Sequence, residues 1–141
     1  CKRTKDGPNN NQLMLEDPSS ADGSLAILFR YGGPAYHVYR VEIADSWRTQ
    51  GWFHVLFSYR FGEPASALLV LGYGCTITGM PGTWVAGNGE APAPNTSGAL
   101  FMGKDNASTP GYFAGSLDEV ELFDIAWTLG LAQYYFFTGC R

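Results

Sequence analysis

The sequence predicts an all-β chain built as a sandwich of antiparallel sheets. Apolar and aromatic runs of strand length, such as those at 25–31 and 67–71, recur along the chain with turn residues between them. The 18 glycines and 8 prolines fall mostly between these runs, where they end one strand and open the next turn. A third sign is the stretch Leu117-Asp118-Glu119-Val120-Glu121-Leu122-Phe123, in which acids interrupt aliphatic residues as on a strand with one buried and one polar face.

Taken in order, residues 1–23 are polar and rich in turn signals, and only Leu13-Met14-Leu15 offers a short strand there. Leu25-Ala26-Ile27-Leu28-Phe29-Arg30-Tyr31 is a compact apolar run stopped by Gly32-Gly33-Pro34. Residues 36–43 and 52–59 are further aromatic and β-branched runs, joined by the polar connection 44–51. Ala67-Leu68-Leu69-Val70-Leu71 reads as another strand, followed by Gly72-Tyr73-Gly74-Cys75 and the short Thr76-Ile77-Thr78. Residues 79–98 are the longest irregular stretch, with Thr83-Trp84-Val85 as the strand candidate inside it. Ala99-Leu100-Phe101-Met102 resumes the core and leads to a terminal strand over 112–124. Residues 129–137 fit a short helix with Thr128 as its N-cap, although the aromatic cluster Tyr134-Tyr135-Phe136-Phe137 fits a strand equally well.

The 141 residues suit one domain, with a polar N-terminal segment over 1–23 and the sandwich over 24–141. At 45% hydrophobic and 15% aromatic residues, the chain has the means to bury a core and does not read as disordered. A net charge of −4 argues against nucleic acid as a partner, and Lys2, Arg3 and Lys5 read as a solvated tail. No apolar run reaches the length of a membrane-spanning helix. A chain that opens on Cys1 without an initiator Met reads as processed, or as a piece of a longer protein.

Three cysteines (Cys1, Cys75 and Cys140) without a C-x-x-C spacing, and only two histidines, give no zinc-site pattern. Pairing of Cys1 with Cys140 would close nearly the whole chain and stabilise it by about 4–5 kcal/mol. Cys75 would then be free and buried or joined to another chain. Pairing of the terminal cysteines between chains would instead make a covalent polymer. Two glycosylation sequons, at Asn95 and Asn106, lie in polar, turn-rich segments. Together with the cysteines they point to a secreted, extracellular glycoprotein.

Three blocks, in order, carry a resemblance to a known family. Trp52-Phe53-His54-Val55 with Tyr59 is similar to a W-x-H-V-x-x-x-Y strand, and Gly98-Ala99-Leu100-Phe101-Met102-Gly103 to an x-L-x-I-G strand. Tyr112-Phe113-Ala114-Gly115-Ser116-Leu117-Asp118-Glu119-Val120-Glu121-Leu122-Phe123 resembles Y-F-x-G-x-I-D-E-V-x-I-Y, with Ile125-Ala126-Trp127-Thr128 where R-A-L-S commonly follows. The chain thus resembles the laminin-G-like, concanavalin-type modules over roughly residues 24–138. The resemblance implies a two-sheet antiparallel jelly roll, extracellular, which recognises glycans or proteins or assembles with neighbours. It departs from the family at the start, where residues 1–23 are too short and polar to supply all the usual N-terminal strands. Either the jelly roll is minimal and lacks some N-terminal strands, or these come from another chain, through strand edges or cysteines, or from a parent protein longer than this sequence.

The chemistry the residues offer is mainly that of binding. A flat aromatic ring beside amides and acids makes a platform for the apolar face of a sugar, and Trp84 with Asn88 and Glu90 fits that description. Tyr73 and Trp47 are weaker candidates. The resemblance implies a structural calcium ligand at Asp118, which would need other oxygens around it. Glycoside hydrolases of the same fold use carboxylate pairs, and Glu119 and Glu121 are spaced to share one strand face about 6.8 Å apart. Their usual E-x-D-x-x-E or E-x-D-x-E pattern does not occur among Asp118, Glu119, Glu121 and Asp124, nor at Glu42-Ile43-Ala44-Asp45. These acids read as the solvated face of a strand, and the hydrolase as the alternative to a non-catalytic module. His37 and His54 have no Ser or Cys partner signalled near them, and Gly72-Tyr73-Gly74 is not a phosphate loop.

Overall fold

A computed structural model describes residues 12–16, 25–31, 37–44, 46–47, 51–91, 102 and 115–139. Among them the strands are β1 (Gln12–Glu16), β2 (Leu25–Tyr31), β3 (His37–Ile43), β4 (His54–Ser58), β5 (Leu68–Tyr73), β6 (Thr76–Met80) and β7 (Thr83–Ala86), followed by helix α1 (Leu129–Gly139). They form two antiparallel sheets, one ordered β1-β2-β3-β7 and the other β4-β5-β6.

The register explains which residues reach the core. In β2 and β3 the pairs Ile27–Val41 and Phe29–Tyr39 put one set of alternate side chains on a common face. In β4 and β5 the pairs Val55–Leu71 and Phe57–Leu69 do the same. Ile27, Tyr39, Val41 and Ile43 meet Leu69 and Leu71 there, with Phe29, Phe53, Phe57 and Trp84 packed around them. The architecture is that of a β-sandwich. Full burial of a side chain such as Leu71 contributes about 1.5–3 kcal/mol.

The unbroken apolar run of β5 has a second cause. Leu69 and Leu71 face the four-stranded sheet, while Val70, on the opposite face, packs with Trp127 and Ala132. Leu56, Leu68, Ile77 and Phe136 complete this smaller cluster. The three-stranded sheet is therefore the middle of three layers, with α1 on its outer face, and a strand buried on both sides shows no alternation. The Trp127 N–H donates to the Ser58 hydroxyl at 2.6 Å and fastens the chain just before the helix to β4.

The chain passes from one sheet to the other within two residues, Pro81 and Gly82, between β6 and β7. A Cβ on Gly82 would lie 2.5 Å from Val41 Cγ2 and 2.7 Å from the Arg40 carbonyl oxygen, so this crossing needs a residue without a side chain.

Several sequence expectations meet the structure closely. Leu13-Met14-Leu15 lies in β1, Thr83-Trp84-Val85 in β7, and residues 129–137 take the helical option. Thr128 caps that helix, its Oγ1 accepting the Leu131 N–H at 3.2 Å. The strand expected over 52–59 is shorter and starts at His54, leaving Trp52 exposed.

The terminal strand is corrected. Residues 117–123 join no sheet among the described residues, and every residue from Gly115 to Ile125 is exposed. Glu119 takes a left-handed backbone conformation (φ +49°), its N–H bonded to Asp118 Oδ1 at 2.9 Å. A left-handed residue breaks the two-residue repeat that would give such a strand one buried face. The first part of that expected strand, 112–114, and the stretch 99–101 lie outside the described residues.

Candidate functional site

The candidate ligand residues separate to the two ends of the sandwich. Trp84 sits on β7 opposite Tyr39 of β3, and its ring lies 5.2 Å from Tyr39, 5.3 Å from Tyr59 and 6.1 Å from Tyr31, centroid to centroid. The indole is half-buried against the core, and its Nε1 donates to the Pro64 carbonyl at 3.4 Å. Both its face and its donor are engaged within the chain, so it seals the edge of the sandwich and does not stand in an open loop.

Asn88 and Glu90 follow in the loop after β7 and bind each other. Asn88 Nδ2 donates to Glu90 Oε2 at 2.6 Å, and the Glu90 N–H donates to Asn88 Oδ1 at 3.1 Å. His37, at the start of β3, accepts the Asn88 and Gly89 N–H groups on its Nδ1 at 3.0 and 2.8 Å. The Tyr59 hydroxyl donates to the Gly89 carbonyl, and the Tyr31 hydroxyl to that of Ala91 at 3.1 Å. Tyr31 is completely buried, and loss of hydration with the Tyr59 hydroxyl 3.0 Å away holds its phenol protonated well above the ordinary range. Histidine and two tyrosines thus act as internal fasteners of this loop.

Tyr73 belongs to the opposite end. With Trp47, Thr76 and Thr78 it lines a cavity of about 300 Å³. Trp47 is positioned by a short turn after β3, its N–H bonded to the Ala44 carbonyl at 3.0 Å. The edge of Phe53 supports the indole at 5.5 Å between ring centroids. Tyr73 closes β5 and Thr76 opens β6 directly across from it, so the hairpin fixes phenol and hydroxyl side by side. About half of Tyr73 is exposed (49%). Among the described residues the lining offers two aromatic rings and two threonine hydroxyls, with no charged group.

The sequence ranked these two aromatics below Trp84. Their signal was weak because Trp47 lies in a connection and Tyr73 at a strand end, far apart in the chain. Thr76 and Thr78 carried no signal at all until the hairpin register placed them.

A second cavity, of about 340 Å³, lies between the β4–β5 connection and the start of α1. Arg60, Glu63, Ser66, Trp127 and Thr128 contribute to its wall. Arg60 and Glu63 are already paired at 3.1 Å, and the Ser66 hydroxyl accepts the Arg60 N–H and donates to the Glu63 carbonyl. The Trp127 Nε1 is buried without a hydrogen-bond acceptor among the described residues, at a cost of about 1–3 kcal/mol.

The remaining candidates are dispersed. Glu121 Oε2 accepts the Tyr135 hydroxyl at 2.6 Å, and this bond raises the Tyr135 pKa, aided by the charges of Glu121 and Glu119. With Glu119 on left-handed backbone and no strand formed, the expected sharing of one strand face by Glu119 and Glu121 does not arise. Asp118 is exposed, and no cluster of three or more His, Cys, Asp or Glu side chains fit for a metal gathers among the described residues. The His54 ring packs 5.0 Å from Phe136 of α1. Cys75 is a free, exposed thiol at the tip of the β5–β6 hairpin, so of the two expectations for it, free and buried or joined to another chain, the burial is not met. Cys1, Cys140, Asn95 and Asn106 lie outside the described residues. No described helix is long and apolar enough to cross a membrane. Comparison with protein-family models, curated proteins and solved structures gives no match.

Proposed function

We propose that this chain is a non-catalytic extracellular recognition module that binds a neutral sugar unit in the pocket of Trp47, Tyr73, Thr76 and Thr78. The observation that carries the reading is the pocket's lining: an indole and a phenol beside two hydroxyls, with no carboxylate or basic side chain among the described residues. Aromatic faces take the C–H surface of a pyranose, and neutral hydroxyls exchange hydrogen bonds with its own. A laminin-G-like jelly roll is the connectivity proposed for the two sheets, resting on the three sequence blocks. Secretion rests on the two sequons and the cysteines.

The non-catalytic reading is supported by the engagement of Glu121 with Tyr135 and by the left-handed backbone at Glu119. Calcium at Asp118 is not part of the proposal. The carboxylate already accepts the Glu119 amide, and a calcium ion asks for six to eight oxygens.

A glycan array tests this, run with wild type, Tyr73→Ala and Trp84→Ala. Retention of neutral glycans by wild type and folded Trp84→Ala, weakened at least about tenfold by Tyr73→Ala, is the expected result. Retention that survives Tyr73→Ala overturns it.

A further inference from the structure

Residues 115–139 carry Asp118, Glu119, Glu121 and Asp124 and neither Lys nor Arg, so the formal charge of this stretch alone equals that of the whole chain, −4. None of these acids pairs with a described Lys or Arg. Large apolar side chains alternate with them in water, with Leu122 78% exposed and Leu117, Val120 and Ile125 each more than half exposed. These four present a few hundred Å² of apolar surface, the size of the largest patch on a typical monomer, which is often a functional one. With its acidic rim, a patch of that size suits the small interfaces of transient partners, below about 1,200 Å² in total.

The surface is also held in shape. The Phe123 ring lies 4.4 Å from Trp127, which lies 5.0 Å from Tyr135, and Tyr135 is bonded to Glu121. Ring contacts and one hydrogen bond thus tie the exposed segment to α1.

We propose that this face docks a polypeptide segment in which Lys or Arg residues alternate with apolar ones. Apolar burial supplies the affinity, and the four carboxylates select a basic partner and speed its approach. A second copy of this chain is disfavoured, because a two-fold contact brings like acids from both copies to the same patch. An anionic membrane surface is disfavoured for the same reason. The proposal is independent of the sugar pocket, which shares none of these residues.

The probes are three labelled eight-residue peptides, alternating Leu-Lys, Ser-Lys and Leu-Glu, read by fluorescence anisotropy against the full chain. The Leu-Lys peptide is expected to bind, and to bind more weakly as salt rises. The surface variant Leu122→Asn/Ile125→Asn should weaken it about tenfold, and Asp118→Asn/Asp124→Asn severalfold. The other two peptides should not bind. Equal binding of Ser-Lys, no binding of Leu-Lys, or unchanged affinity in Leu122→Asn/Ile125→Asn each overturns the proposal. So does sedimentation of the wild type as a dimer that this variant turns into a monomer, which would make a second copy the occupant. Both variants change exposed side chains, and circular dichroism confirms that they fold.

Discussion

His37 and Gly89 are joined by a hydrogen bond of 2.8 Å, from the glycine N–H to the imidazole Nδ1. The same nitrogen accepts the Asn88 N–H at 3.0 Å. An imidazole nitrogen that accepts carries no proton, so the neutral ring holds its hydrogen on Nε2. This arrangement ties the loop after β7 to the first residue of β3 and closes the aromatic end of the sandwich.

Gly89 has no room for a side chain in that loop. Its φ is +78°, and a Cβ would lie 2.5 Å from Trp84 Cε2. Gly89→Ala should therefore cost about 1–3 kcal/mol, read as a lower urea midpoint at unchanged m-value. Gly51→Ala, where a Cβ meets nothing within 4 Å, should stay within about 0.5 kcal/mol of wild type.

Tyr31 makes stability fall in alkali. Burial and the Tyr59 hydroxyl raise its pKa in the folded chain, whereas the unfolded chain ionises this phenol near pH 10. Below about pH 10 both states are protonated and the contribution is complete. As pH rises further, the unfolded state loses its proton first and the contribution is progressively lost. Tyr39, raised mainly by burial, acts in the same direction. Urea unfolding at about pH 8 and about pH 11 should show this loss, and Tyr31→Phe should make it smaller. An unchanged pH slope in Tyr31→Phe would contradict the assignment.

Thr128 should matter through one hydrogen bond. Its Oγ1 takes the Leu131 N–H, one of the four donors that the first turn of α1 leaves unpaired. Thr128→Ala should lower stability by about 1 kcal/mol and Thr128→Ser by much less, both measured by urea denaturation.

Cys75 is predicted to react in the folded state. Its thiol is exposed at a hairpin tip, so a maleimide should modify the chain at this position without denaturant. Peptide mapping identifies the site, and protection of Cys75 until urea is added would contradict the placement.

Most of the strands could be read locally because their signals are local, while the helix was one of two readings of residues 129–137. Thr128 before an aromatic and aliphatic run announces an N-cap, and Leu25 to Tyr31 ends at a Gly-Gly-Pro stop. The run Ala67 to Leu71 was equally visible, but not the reason for it. One face of β5 packs on a sheet and the other on α1, and a strand covered on both sides loses the alternation that would assign its faces.

The site was less legible. Trp84 and Tyr73 are both aromatics next to turns, and composition cannot tell a ring that caps the core from one that lines a pocket. Pairing with Tyr39 commits the first to the core, while the hairpin register opposite Thr76 leaves the second half exposed. The 117–123 stretch has the composition of an amphipathic strand, yet a strand needs a partner for its N–H and C=O groups, and that is a property of the fold.

By itself, then, the sequence determined where most of the strands form, because turn chemistry and apolar runs act over a few residues, but it left 129–137 open between helix and strand and expected a strand where 117–123 form none. Only the tertiary structure decided which aromatics share a pocket, which hold a loop closed and which apolar residues stay in water. Those outcomes depend on contacts between residues distant in the chain, such as His37 with Gly89 and Trp47 with Tyr73, and no local pattern encodes them.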